Sequence, residues 1–259
     1  MTPTLDTGPD IGPQIKLAKD HPLYALIDEA YRVFDAPKPS STEVCTGCCM
    51  DPHIELHFFE PPIRDLPLTY VQDWFFAAYD PEAGVAKPTW AYLLPRILEL
   101  LAAAQEVSYV GNEVALSRFQ TGVAANWNAQ EWSVIDRFQR AFLRAELREG
   151  TDYIDDTLCM FALAGWSVSD LTAQMLEVDD ATLANRLWRD WCQHCVPGKE
   201  SIWITAFWES PANSEIYDFY TSKALRDRMA TLGLAETTPP DLATRALAVA
   251  AVIEDNAAW

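Results

Sequence analysis

The sequence is short of basic residues, of glycine, of histidine and of long apolar runs, and each shortage excludes something. Nineteen Lys and Arg stand against 38 Asp and Glu, a formal charge of −19. Residues 1–150 carry 21 acids and 12 bases, and residues 151–259 carry 17 and 7, so neither stretch is a basic domain. Neutralising nucleic-acid phosphates takes a concentrated basic surface, and an anionic membrane takes a polybasic one, so neither partner is expected. The longest apolar run, 246–253, falls far short of the ~20 residues that span a bilayer. Residues 1–13 hold no Lys or Arg and no sustained apolar stretch, so no secretory signal is expected and the six cysteines are expected reduced, in the cytoplasm. With ten glycines there is no Gly-rich phosphate loop and no Gly-x-Ser-x-Gly, and the four histidines, His21, His53, His57 and His194, select no catalytic triad by their spacing.

What is present is a large apolar inventory with helical order. Hydrophobic residues make up 49% of the chain, and ten Trp and eleven Phe supply a core that needs neither disulfide nor metal to hold a chain of this length. Asp20-His21-Pro22 reads as a cap and early proline ahead of Leu23, Leu26, Ile27, Ala30, Tyr31 and Phe34. Asp65-Leu66-Pro67 and Lys87-Pro88-Thr89 open two more helices, the latter carrying Leu94, Ile97, Leu98 and Leu101 on one stripe with Pro95 expected to kink it. Asn128 and Glu131 form a capping-box pattern, Trp132, Ile135, Phe138 and Phe142 line one face, and Gly150 is placed to end the helix. Further helices are expected over 152–164, 169–178, 181–195, 214–231 and 241–257, with 202–207 the best strand candidate. The fold class is therefore all-α, about ten short to medium helices packed in antiparallel pairs. Residues 1–19 read as an irregular lead-in and 20–259 as one domain with a softer joint near 150.

Three constellations bear on chemistry. Cys45-x-x-Cys48 and Cys192-x-x-Cys195 share the spacing that brings two thiolates to one tetrahedral zinc, although some 140 residues separate the pairs. Redox chemistry is disfavoured at the first pair by Glu43, Asp51, Glu55 and Glu60, which oppose a thiolate. His53 and His57 share a face if the stretch is helical, but a metalloprotease helix needs Glu directly after the first His and Glu55 is two residues on; extended, the same residues would be an ordinary half-buried surface. Arg137, Arg140, Arg144 and Arg148 line the outer face of the 128–149 helix, where they suit an acidic partner or a phosphate, or simply solvent. Trp188, Trp191, Trp203, Phe207 and Trp208, with His194, suit a ligand pocket or helix packing.

Val44-Cys45-Thr46-Gly47-Cys48-Cys49-Met50-Asp51-Pro52, Ile63-Arg64-Asp65-Leu66-Pro67-Leu68, Leu93-Leu94-Pro95-Arg96-Ile97-Leu98-Glu99-Leu100-Leu101 and then Trp127 resemble a bacterial family of uncharacterised proteins, over residues 22–150 with a looser echo to 232. The resemblance implies a bacterial cytosolic helical protein and carries over no catalytic residue, cofactor or partner; it includes the first cysteine cluster and not Cys192 and Cys195. Because no catalytic constellation stands out, function is expected to be non-enzymatic, an interaction with another protein through an outer face with Arg137, Arg140, Arg144 and Arg148. No cofactor is expected. The alternative is a metal- or thiol-dependent protein centred on Cys45, Cys48 and Cys49, completed by His53 or by Cys192 and Cys195, with zinc on Cys45, Cys48, Cys192 and Cys195 in the second case. A further alternative is a small-molecule site lined by aromatics that include Trp188, Trp191 and Trp203.

Overall fold

A computed structural model describes residues 14–45, 47, 49–80, 82, 84–196 and 198–257. It is all-α: among the described residues there are eleven α-helices and three 3-10 turns, and no strand. The helices are α1 (Tyr24–Val33), α2 (Pro52–His57), α3 (Leu68–Phe76), α4 (Lys87–Ala102), α5 (Ala129–Glu149), α6 (Ile154–Leu163), α7 (Val168–Leu176), α8 (Asp180–Trp191), α9 (Ala212–Tyr220), α10 (Lys223–Leu234) and α11 (Pro240–Asn256). The chain divides into two compact units between Phe138 and Gln139, a point inside α5. No helix among the described residues is long and apolar enough to cross a membrane.

In the first unit α4 is buried nearly all round, with Leu94, Ile97, Leu98 and Leu101 each at most 3% exposed. A helix apolar on every side belongs at the centre, and α1 packs against it. It runs unbroken through Pro95. Its two buried charges pair with each other: Arg96 Nη1 donates to Glu99 Oε2 at 2.6 Å. Arg96 also donates to the Leu66 carbonyl at 2.9 Å and the Ile15 carbonyl at 2.8 Å, while Glu99 accepts from the Tyr31 hydroxyl at 2.7 Å and the Leu17 amide at 3.3 Å. One buried ion pair thereby ties the segment at 15–17, the turn before α3 and α1 to the central helix. Burial and the adjacent Glu99 carboxylate push the Tyr31 phenol well above its ordinary value, so it serves as a donor throughout the working pH range.

Arg118 does similar work without a carboxylate. Its Nη2 donates to the carbonyls of Phe75 (2.6 Å) and Ala77 (2.8 Å), which the end of α3 leaves without helical partners, and its guanidinium lies 4.4 Å from the ring centroids of both Trp74 and Tyr79. Burial pulls its pKa down to about 10, still far above neutrality.

In the second unit α11 packs against α8 and α10, and the short connection at 235–239 makes α10 and α11 antiparallel neighbours. Buried Arg186 pairs with Asp190 at 2.9 Å and donates to the Glu146, Gly150 and Asp152 carbonyls, closing the C-terminal end of α5. Asp190 also accepts from the Ile154 amide at 2.9 Å, which starts α6.

Several sequence expectations are revised by this packing. Asp20-His21-Pro22 forms a turn, with the His21 amide bonded to the Ala18 carbonyl, and α1 begins only at Tyr24 with no side-chain cap. The span 214–231 is two helices, because Ser222 accepts from the Leu225 amide and starts α10 afresh. α8 stops at Trp191, leaving Cys192 to Cys195 in turns. Residues 202–207 are irregular: the Thr205 amide is taken by the buried Asp155 carboxylate at 2.7 Å, which also receives the Trp208 indole N–H at 2.9 Å.

Removing one member of a buried ion pair typically costs about 3–5 kcal/mol, because the other charge stays buried. Arg96→Met is therefore expected to lower unfolding free energy by roughly that amount in urea denaturation, with the additional loss of the Ile15 and Leu66 carbonyl partners. A loss under ~1 kcal/mol would show that the pair contributes little to the stability of this unit.

Candidate functional site: a groove between α5 and α7

The most clearly specified helix builds the site. Asn128 Oδ1 accepts from the Glu131 amide and Glu131 Oε2 accepts from the Asn128 amide, both at 2.9 Å, so the expected capping box is present, and the Gly150 amide closes on the Glu146 carbonyl. Phe142, Leu143 and Leu147 are buried, while Arg137, Arg140, Arg144 and Arg148 are all exposed. The 100° step per residue thus separates the faces as the pattern requires.

α7 is brought alongside by a reciprocal amide pair: Gln139 Nε2 donates to Gln174 Oε1 at 3.2 Å and Gln174 Nε2 donates to Gln139 Oε1 at 3.1 Å, with Gln139 fully buried. Ser167 caps α7 by accepting from the Asp170 amide. Between the two helices lies a groove lined by Arg140, Leu143, Arg144, Leu147, Gln174, Glu177 and Val178. Leu143, Leu147 and Val178 make an apolar floor, and Arg140, Arg144, Gln174 and Glu177 supply polar groups around it.

The far end of the groove is held by Arg228, which pairs with Asp180 at 2.7 Å and donates to the Leu176 and Val178 carbonyls. Sequence reasoning missed Arg228, because nothing local marks an arginine of α10 as the cap of α7. Arg144 lies 3.9 Å from Glu177, with both side chains more than half exposed. Such a loose surface pair contributes about 0–1 kcal/mol. Other bases of this unit also have internal partners: carbonyls for Arg186 and Arg189, the Asp227 carboxylate for Lys223 and Arg226, and Asn185 and the Trp188 ring for Arg245.

The predicted site residues are distributed as follows. Arg140 and Arg144 line the groove. Arg148 stands one turn further on; its charge is a minor contributor to the lowered pKa of Asp179, which the Thr182 amide chiefly causes. Arg137 is bound by Glu29 in a two-point contact at 2.5 and 3.0 Å, holding the Glu29 carboxyl below its usual range. The aromatic residues stand in different settings. Trp191 is buried at 1% exposure with its edge on Tyr220, Trp188 is half-buried beneath Arg245, and Trp203 is an exposed ring stacked on Tyr153 at 4.9 Å. Their spacing served helix packing, except at Trp203.

Cys45 and Cys49 are half-buried in the first unit, and Cys192 and Cys195 are half-buried in the second; Cys48 lies outside the described residues. The Cys195 thiol lies 3.1 Å from the Trp191 carbonyl, and burial, with help from Glu200 and Cys195, pushes the Cys192 thiol up to about 12. Among the described residues no group of three or more His, Cys, Asp or Glu is placed to hold a metal ion. His53 and His57 do share a face, since α2 is helical, with ring centroids 4.5 Å apart.

The chain matches no protein-family profile, no curated protein and no solved structure.

A thiol titrating near 12 is almost entirely protonated at pH 8, and only the thiolate is a nucleophile. Cys192 is expected to react with iodoacetamide at pH 8 at least roughly a hundredfold more slowly than an unperturbed cysteine, as read by peptide mass spectrometry of the folded protein. Alkylation at the ordinary rate would place the thiol in a wet or cationic setting instead.

Proposed function

We propose that this is a non-enzymatic interaction protein that receives an acidic, amphipathic segment of a partner protein in the α5–α7 groove. The observation that carries this reading is the combination of an apolar floor, Leu143, Leu147 and Val178, with two exposed arginines, Arg140 and Arg144, on a chain of net charge −19. Planar guanidinium groups bind carboxylates at two points and are enriched where protein partners bind most strongly. The floor is itself nearly covered, with Leu143, Leu147 and Val178 at 1, 2 and 7% exposure, so the attraction rests chiefly on the two arginines. An acidic chain repels acidic partners generally, so a local pair of arginines selects both where and how such a segment docks.

The test places a photo-crosslinking residue at Glu177, an exposed lining residue of the groove, and compares the otherwise native protein with R140E/R144E. The expected result is a discrete crosslinked partner whose captured peptide is acidic, with yield falling at least about tenfold on charge reversal and with rising salt. Both arginines are exposed, so the double variant should unfold within about 0.5 kcal/mol of the parent. Crosslinking that is unchanged in the double variant, or absent from the parent, overturns the reading.

A further inference from the structure

A second site lies in the first unit, apart from the groove and independent of its reading. Asp51 caps α2, accepting from the His53 amide at 2.8 Å and the Ile54 amide at 3.3 Å, and this fixes His53 and His57 one turn apart. Their rings lie 4.5 Å apart between centroids, inclined at 50°. His57 Nδ1 is 2.9 Å from Glu60 Oε2. A carboxylate at that nitrogen takes the hydrogen bond of the Nδ1 proton, fixes the tautomer and leaves Nε2 with its lone pair, as is usual for a histidine that ligates metal through its other nitrogen.

We propose that His53 and His57 form a two-imidazole site for a borderline divalent cation of the first transition row, with Glu60 as the positioning residue for His57 and water completing the coordination shell. Imidazole nitrogens suit zinc, nickel and copper over calcium or magnesium. The surroundings favour a cation: residues 39–63 contain Glu43, Asp51, Glu55 and Glu60 and no Lys or Arg. The flanking Lys38 is drawn to the Phe59 carbonyl at 2.9 Å and Arg64 pairs with Asp28 at 3.0 Å. The zincin motif is not needed, because Glu55 donates nothing to this face; its carboxylate accepts from the Gly47 amide at 2.8 Å. Two protein ligands leave several positions to water, so the ion exchanges readily, and no cysteine is required.

The experiment titrates the full chain at pH 7.5 with zinc or copper(II) sulfate by calorimetry, and records the electron paramagnetic resonance spectrum of the copper-loaded protein. One equivalent is expected to bind, with coupling from two nitrogens. H53A and H57A should each weaken binding by at least about tenfold and reduce the coupling to one nitrogen, and E60Q should weaken it by roughly tenfold. C45S/C48S/C49S should bind within twofold of the parent. His53 is exposed, so H53A retains the fold, verified by its circular dichroism. Unchanged affinity in H53A, or a loss that follows the cysteines, overturns the site; unchanged affinity in E60Q overturns the role of Glu60.

Discussion

Buried guanidinium groups that satisfy backbone carbonyls are the constraint on which both units depend. Every helix leaves its last carbonyls without intrahelical partners, and a chain of many short helices has many such ends to satisfy. Arg118 closes the end of α3, Arg186 closes the end of α5, and Arg228 closes the end of α7. Arg96 does the same for the irregular carbonyls at Ile15 and Leu66. Glu99 and Asp190 neutralise two of these cations within the core. Arg118 relies instead on aromatic faces, and its lowered pKa records the desolvation that remains.

This internal use of arginine does not tip the surface charge. The charges taken inside nearly cancel, Arg96, Arg118 and Arg186 being buried along with Glu99, Glu113, Asp155 and Asp190, so the outside keeps the acidic balance of the composition. Arg140 and Arg144 stand out against that background because both are exposed at the rim of the α5–α7 groove. The histidines of α2 lie at the opposite extreme, in a stretch with no basic residue between Lys38 and Arg64.

α5 was legible almost completely, since its cap, its apolar face, its arginine face and its terminating glycine are all local. α4 was legible as a helix, and its depth in the core was only hinted at by its composition. α1 was misplaced at its start because the Asp20 turn offers the same residue types as a cap. The break at Thr221–Ser222 was hidden because helical spacing continues on both sides of it, while a serine cap between two helices reads like any polar position. The groove was half legible: α5 supplied its arginines by pattern, but the partner helix and Arg228 came from residues far along the chain. The two histidines were placed on one face only once Asp51 was seen to cap α2, since an extended stretch fitted the same letters.

The sequence by itself determined the all-α class, most of the helices and the acidic balance, because apolar period, caps, prolines and net charge act within a turn or two of the chain. Tertiary structure alone decided which arginines lie inside and which lie at the surface. A guanidinium is five donors on a long stem, and its acceptors here are carbonyls 30 to 81 residues away for Arg96 and 34 to 40 for Arg186. Carbonyls are the same at every residue and leave no mark on side-chain pattern, so no local reading distinguishes Arg96 in the core from Arg144 at the groove.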